Sequence, residues 1–582
     1  MTQRPNILFL SVDALRADRS SAYGYERPTT PTLERLARGG ARLDNSFSLS
    51  SVTQTALIQM LTSSRPFSYG GYDYGAVGRP THLFKHLRTA GYKTICLSSL
   101  HWVNRFFGYG DGVDQEYQLF DVVTLPGVTL AMIRATLLSY EAGEIDDAAL
   151  IAEVDSVMRH LFSNLRVYCD IRNANADELR RDFVDSSLVN SGYDLEAILA
   201  ITERHRIAYE KDPIGYIRKY LIPAPGPNTW MQRWLPKEWY LARKKSVLLR
   251  EAVSRSANWV LAHFNPRLAQ CRNRRFKVYP DARSLADKVI ERMRAATDGD
   301  AQPFMIWTHF MDTHLPYIAG GGRRWYTETP RYLEALGYDP KIPPALTFDG
   351  TPKSPDDGPG WSALYDAAVR STDEEIGRIV DACEEMGLLD NTIIVVTGDH
   401  GEEIGERGAW GHFFRLYEWG VHVPTVIHGP GVAAGTVKGL TNIMDIAPTV
   451  SRLAGLEPDA AWDGFDVLAD DFKGRDNIMI ETFYSGNCLF AQRPLYFALR
   501  NDRFHYLWKE YIDRDDVTGE PQFQLFDIVE DPKSERDIYR DDHPAVLAFN
   551  REIAARMREI QEVSDTRIAT AFDDGFRNRG AA

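Results

Sequence analysis

This sequence predicts a layered α/β fold, a mostly parallel central sheet sandwiched between helices, and three features lead to it. Short apolar runs of strand length recur along the chain, and segments with apolar residues three and four positions apart lie between them. The composition, 44% hydrophobic and 25% charged over 582 residues, is that of a large globular chain with enough core for a main domain and at least one addition.

The strand-length runs fall at residues 6–12, 94–100, 304–308, 392–397 and 423–427. Each is apolar almost throughout, the pattern of a strand buried on both faces rather than one with a wet side. Helical spacing occurs at 31–38, 56–61, 81–90 and 365–386, which predicts helices on both faces of the sheet. Residues 126–287 read differently: they are rich in helical patterns, poor in strand patterns, and broken by prolines and a glycine at 222–228, as expected of an insertion. Near Pro458 the texture changes again, with short aromatic-rich strands over 477–527 and a last helix over 544–563. The expected organisation is a main α/β domain from 1–125 and 288–456, a helix-rich insertion at 126–287 and a smaller C-terminal α+β subdomain at 457–582.

With 67 Lys and Arg against 81 Asp and Glu, the net charge of -14 argues against a dedicated nucleic-acid binder. The cysteines, Cys96, Cys169, Cys271, Cys383 and Cys488, are odd in number and never closely paired, which suits a reducing compartment. The first apolar run ends at Asp13 without signal-peptide architecture, so a cytoplasmic location is expected. No stretch approaches the roughly 20 apolar residues of a membrane span, so any membrane contact is expected to be peripheral. One segment reverses the charge balance: between Tyr240 and Lys277 ten Lys and Arg face a single acid, Glu251, with Trp230, Trp234, Trp239 and Trp259 in or beside it. Residues 230–277 are a candidate dock for an anionic membrane surface or a polyanionic substrate; a solvated helical face over packed tryptophans is the plainer alternative.

Functional groups of open α/β sheets collect beyond the carboxyl ends of the strands. Asp13 follows the first run, His309 to His314 (HFMDTH) the third, and Asp399 with His400 the fourth, inside the turn TGDHG. A carboxylate beside an imidazole in a glycine-flanked turn is metal-ligand chemistry, and it is equally a capping acid beside a polar-core histidine. Asp13 taken singly reads as a turn residue or as a ligand. Thr53 precedes Ala56, Leu57, Met60 and Leu61, whose spacing places it near a helix N-terminus, where unpaired N–H groups stabilise negative charge. Its hydroxyl becomes a competent nucleophile only beside a cation that lowers its pKa; otherwise it is a plain N-cap, with Ser51 and Gln54 as a competing capping box.

Taken in order, these segments resemble the sulfatase family of the alkaline-phosphatase superfamily. The resemblance rests on PNILFLSVDALRAD at 5–18, YGYERPTTPTLERLA at 23–37, TGDHGEE at 397–403, WGH at 410–412, LYEWGVHVP at 416–424, MDIAPTVSRLAG at 444–455 and LFDIVEDPKSE at 525–535. It implies an alkaline-phosphatase-like sandwich whose main domain is catalytic. Two positions depart from the family pattern. Sulfatases convert a Cys or Ser in a Cys/Ser-x-Pro-x-Arg motif to formylglycine, whereas this chain has TQTAL from Thr53 to Leu57, so no formylglycine is expected. The second of two paired aspartates after the first strand is replaced by Ala14. The remainder resembles the threonine-dependent branch, the phosphoethanolamine and glycerolphosphate transferases. That resemblance implies one divalent metal held by Asp13, Thr53, Asp399 and His400, with His314 and His412 gripping the substrate's oxygens and His309 in a lesser place. A carboxylate, hydroxyl and imidazole set suits zinc or manganese more than calcium.

The expected substrate is an anionic ester. A sulfated formylglycine hydrate expels sulfate with its second hydroxyl; a sulfated threonine has none, whereas a phosphorylated threonine is cleared by in-line attack of water at phosphorus. Hydrolysis of phosphate mono- or diesters through Thr53 is therefore the expectation. A sulfatase working without formylglycine is the alternative, and an inactive metal- or anion-binding protein the alternative of another class.

Overall fold

The computed structural model describes residues 4–69, 75–100, 103–120, 122, 124–182, 194–224, 234–243, 253, 256, 260, 279–297, 302–315, 317, 319–320, 325–340, 358–412, 415–483, 495–510 and 521–567. Its strands are β1 (Asn6–Val12), β2 (Ala41–Phe47), β3 (Lys93–Ser98), β4 (Gln115–Gln118), β5 (Phe304–Phe310), β6 (Thr392–Gly398), β7 (Glu403–Ile404), β8 (Trp410–Gly411), β9 (Thr425–His428), β10 (Gly435–Asn442), β11 (Ile478–Phe483), β12 (Leu495–Arg500), β13 (Phe504–Lys509) and β14 (Phe523–Asp527). Eight of them form one sheet in the order β10-β2-β9-β6-β1-β5-β3-β4. All neighbours run parallel except β9, which is antiparallel to both β2 and β6, so the mostly parallel sheet of the sequence reading is found with one reversed strand.

β1 lies between β5 and β6 and is buried along its whole length. Its side chains alternate between the two faces: Ile7 and Phe9 join one apolar cluster, Leu8, Leu10 and Val12 the other. At about 1.5–3 kcal/mol per fully buried aliphatic or aromatic side chain, this two-sided burial fixes the register, because a slip of one residue would exchange the faces. In that register Val12 stands opposite Phe310 on one side and Gly398 on the other. The three strands consequently end level, and the residues after each of them emerge at one edge.

The structure adds strands that the sequence reading did not include. β2 (ARLDNSF) is broken by polar residues, β4 is four residues long, and β10 is the last strand on its side of the sheet with an exposed first half, so none shows the continuous apolar run of a doubly buried strand. The helix expected at 56–61 runs over Thr53–Thr62, and the strand expected at 423–427 starts only at Thr425, after Pro424. Within 126–287 the described residues are largely helical, including Thr124–Glu141, Asp147–Ala174 and Leu195–Lys211. Asp147–Ala174 is tied to the main core by the Tyr168 hydroxyl, which donates to Phe120 O at 2.8 Å. Trp234 and Trp239 are buried, whereas Trp230, Trp259 and most of the basic run lie outside the described residues. Among the described residues no helix is long and apolar enough to cross a membrane.

Strands β11 to β14 form a separate antiparallel sheet, packed against the last helix, Pro544–Arg567, through Val546, Phe549, Ile553 and Ile560. Arg556 of that helix donates two hydrogen bonds to the buried Glu481 of β11, which also accepts the Phe67 amide.

Candidate active site

The turn after β1 is the first part of the site. The Asp13 amide donates to Phe310 O at 2.8 Å, and Ala14 adopts a left-handed φ of 53°, a conformation costing an L-residue roughly 1–2 kcal/mol. This turns the Ala14 N–H onto Asp399 Oδ1 at 2.9 Å, while the Tyr365 hydroxyl donates to Ala14 O at 2.6 Å. The strained turn thus ties the ends of β1 and β6 together and brings two fully buried carboxylates close to one another.

Asp399 Oδ1 also accepts the His400 amide at 2.7 Å. The His400 ring donates from Nδ1 to Gly401 O at 2.7 Å, so Nε2 carries the lone pair and faces the Thr53 hydroxyl at 3.0 Å. Only glycine fits at 401, because a Cβ there would lie 1.8 Å from Trp419 O. Thr53 is the first residue of its helix; Val52 is the N-cap and makes no side-chain cap hydrogen bond. The Thr53 hydroxyl therefore does not serve the helix as a cap: it donates toward Asp13 Oδ2 at 3.1 Å and meets His400, linking residues 40 and 347 positions away.

His412 lies beside this group, its ring centroid 4.3 Å from that of His400 and 4.9 Å from that of His314. The His412 Nδ1–H donates to Glu402 Oε2 at 2.7 Å, and the Tyr317 hydroxyl donates to Glu402 Oε1 at 2.9 Å. His314 is fixed through its own Nδ1, which donates to Leu315 O at 2.7 Å. All six residues singled out in the sequence, Asp13, Thr53, His314, Asp399, His400 and His412, thus gather at one edge of the sheet. Sequence reasoning gave His309 a lesser place and Glu402 none, yet both are here: His309 Nε2 is 3.4 Å from Asp13 Oδ2 and 3.7 Å from Asp399 Oδ2. The signal for Glu402 was present in TGDHGEE, where an acid two residues beyond His400 shares its turn.

The electrostatics set the two buried carboxylates against each other. Burial works to raise the Asp13 carboxyl, but the imidazoles of His314, His309, His400 and His412 outweigh it and hold Asp13 well below the usual carboxylate range. Burial, and then the charge of Asp13, push Asp399 far above that range. The same burial, reinforced by His412, brings His400 down to about 3, so its ring is neutral with the Nε2 lone pair available. His412 goes the other way: burial opposes its charged form, but Glu402 and then Asp13 and Asp399 overcome this and raise it to about 9. Both carboxylates ionise together only if a cation lies between them. Asp13 Oδ1 and Asp399 Oδ2 are buried without a hydrogen-bond partner, which suits such an ion, and ligand atoms of Asp13, His309 and Asp399, or of Asp13, His400 and His412, lie within 4.8 Å of one another.

The sequence and fold match known proteins. The profile of the Sulfatase family matches residues 5–160 and 227–456. The chain is similar to choline-sulfatase of Rhizobium meliloti, 27% identical over 263 residues that make up 42% of this chain and 48% of that protein. N-acetylgalactosamine-6-sulfatase of Mus musculus is 34% identical over 146 residues, 23% of this chain and 28% of that protein. The chain spans about half the length of the first curated relatives it matches, 48% and 49%. Among solved structures, the phosphonate monoester hydrolase of Agrobacterium radiobacter has the same fold, with a TM-score of 0.52 at 16% identity over 96% of each chain. A protein of glycosaminoglycan metabolism in Bacteroides thetaiotaomicron matches with a TM-score of 0.55 at 14% identity over 96% of this chain and 97% of that one. With its sheet, its carboxylate and imidazole cluster and a family match over most of its length, this chain belongs to the Sulfatase family.

Proposed function

We propose that the chain is a metal-dependent ester hydrolase in which Thr53 is the nucleophile and a phosphoric ester the substrate. The observation that carries this reading is the Thr53 hydroxyl at 3.0 Å from His400 Nε2 and 3.1 Å from Asp13 Oδ2, at the position where the family's Cys or Ser stands. In it Asp13, Thr53, Asp399 and His400 hold the cation, and the orphaned oxygens of Asp13 and Asp399 are its natural partners. Such a cation, when bound, supplies Lewis acidity that lowers the hydroxyl's pKa and offsets the charge of the ester.

The rest of the reaction follows from the chain's own groups. The Thr53 proton has an acceptor within reach in Asp13 Oδ2, 3.1 Å away, as the Thr53 oxygen forms a bond to phosphorus. The bond from phosphorus to the leaving alcohol breaks, and the His412 imidazolium returns a proton to that oxygen, with Glu402 holding the far side of the ring. His314, packed edge-on against His412, faces the substrate's remaining oxygens. Water, losing a proton to the now neutral His412, then attacks phosphorus in line; the bond from phosphorus to the Thr53 oxygen breaks, that oxygen takes its proton back from Asp13, and phosphate leaves with Thr53 and the imidazolium restored.

A second reading has its own support, since the relatives matched in sequence are named as sulfatases. A sulfatase acting through Thr53 needs direct attack of water at sulfur, without the second hydroxyl that formylglycine offers. Turnover of aryl sulfate, aryl phosphate and phosphodiester substrates by the wild type and by Thr53→Ala separates the two. The proposal expects the highest kcat/KM on a phosphoric ester and its loss in Thr53→Ala. A higher kcat/KM on sulfate overturns the phosphoryl preference, and activity that survives the substitution overturns the nucleophile.

A further inference from the structure

We infer that His309 is a ligand of the cation, replacing from β5 the acid that the chain lacks at position 14, and that it commits the site to a transition metal with two imidazoles in its coordination sphere. The inference rests on the metal site proposed above and adds a residue which neither sequence pattern nor family resemblance puts there.

Three observations carry it. The first is where the ring points. The Ser11 hydroxyl lies 2.9 Å from His309 Nδ1 and fixes the ring's orientation from its far side. The opposite nitrogen, Nε2, belongs to a fully buried side chain and stands 3.4 Å from Asp13 Oδ2 and 3.7 Å from Asp399 Oδ2. Asp13 Oδ1 and Asp399 Oδ2 are buried without a hydrogen-bond partner, and one ligand atom from each of Asp13, His309 and Asp399 lies within 4.8 Å of the others. The second is the spacing. Donor atoms about 2.0–2.2 Å from a shared ion stand roughly 3.0–3.5 Å from one another. The Thr53–His400, Thr53–Asp13, His309–Asp13 and His400–Asp399 separations of 3.0, 3.1, 3.4 and 3.5 Å fall there, and His309–Asp399 at 3.7 Å lies just beyond.

The third is position 14 itself. Ala14 has no side-chain oxygen to offer, and its amide is already committed to Asp399 Oδ1. His309 takes up the space between the two acids from the neighbouring strand, where Ser11 and His309 stand opposite each other in the ladder. Exchanging a carboxylate for an imidazole moves the donor set from the hard oxygen shell that calcium prefers toward manganese or zinc. Ser11 acts on the metal only through His309, as an orienting partner whose loss ordinarily costs about 10–100-fold in affinity.

Pulsed EPR of the manganese-loaded full-length protein counts the directly bound imidazoles without reference to turnover. Two nitrogen couplings are expected in the wild type, from His309 and His400, and one in His309→Gln. Manganese affinity by equilibrium dialysis is expected to fall at least about tenfold in His309→Gln and by about 10–100-fold in Ser11→Ala, which keeps the imidazole and tests its orientation where the first variant fails to fold. A single nitrogen coupling in the wild type, unchanged by His309→Gln, overturns the ligand role, as does unaltered affinity in both variants. Failure of the wild type to bind manganese or zinc at all overturns the metal site itself, an outcome distinct from either.

Discussion

Replacing Glu402 by Gln tests the proton-donor role given to His412. The wild-type ring is raised to about 9 from an ordinary 6.5, a preference for the imidazolium of about 3 kcal/mol at 1.36 kcal/mol per pKa unit. Burial acts against that preference, and among the groups that overcome it Glu402 comes first, with its charge and its 2.7 Å hydrogen bond. In Glu402→Gln the volume and the Tyr317 contact are retained while the charge is lost, so the ring returns to about its ordinary value or lower. A group raised in this way is fully protonated at low pH and loses its proton as pH rises through its pKa. Activity that needs the imidazolium therefore persists to about pH 9 in the wild type and falls on the alkaline side from about pH 6.5 in the variant. With a titration midpoint near 6.5, about 3% of the rings remain charged at pH 8, so kcat falls about 30-fold there while changing less than about twofold at pH 6. The assay is the pH profile of kcat on an alkyl phosphate, whose alcohol leaves poorly without a proton. Equal losses at pH 6 and pH 8, or an unmoved alkaline limb, would refute the reasoning.

Three further outcomes follow from the structure. Chelation by a strong divalent-metal chelator abolishes turnover and lowers the thermal midpoint, since an ion at one hundred times its Kd contributes about 2.7 kcal/mol to the folded state; an unchanged midpoint and rate contradict the metal site. Gly401→Ala forces a Cβ to 1.8 Å from Trp419 O, so it should cost more than about 3 kcal/mol by chemical denaturation or displace His400 and remove activity. A variant with wild-type stability and rate would show that the turn is not confined. Arg556→Met leaves the Glu481 carboxylate buried without its partner and destabilises by about 3–5 kcal/mol, with faster amide exchange in β11 and the last helix; a loss below about 1 kcal/mol would place the pair outside the core.

The legible parts of the sequence were those that combine burial with a chemical group at the end of an element. β1 and β6 are seven-residue strands buried throughout, and a carboxylate immediately beyond such a run stands out, so Asp13 and Asp399 could be read from the chain. Thr53 was legible through the apolar spacing after it, although the helix begins at Thr53 itself and not beyond it. His309 was obscured because it sits inside a strand, where an imidazole passes for a polar core residue, and only the register of β1 against β5 shows that its ring reaches Asp13 and Asp399. Glu402 stood in view beside His400, but its pairing did not: its partner His412 is ten residues away, beyond the β7–β8 hairpin, and nothing local in the sequence reports that return. β2 and β10 escaped because pairing along the backbone, not a continuous apolar pattern, defines them.

The central claim is that the Thr53 oxygen becomes bonded to phosphorus during turnover. Rapid quenching in acid with a slowly hydrolysed aryl phosphate, followed by high-resolution mass analysis of the digested protein, tests it directly. The account predicts a single added phosphoryl group on the peptide bearing Thr53, absent from Thr53→Ala and from metal-stripped enzyme. A quenched enzyme that turns the ester over rapidly while that peptide stays unmodified, or that carries the group on another residue, would contradict it.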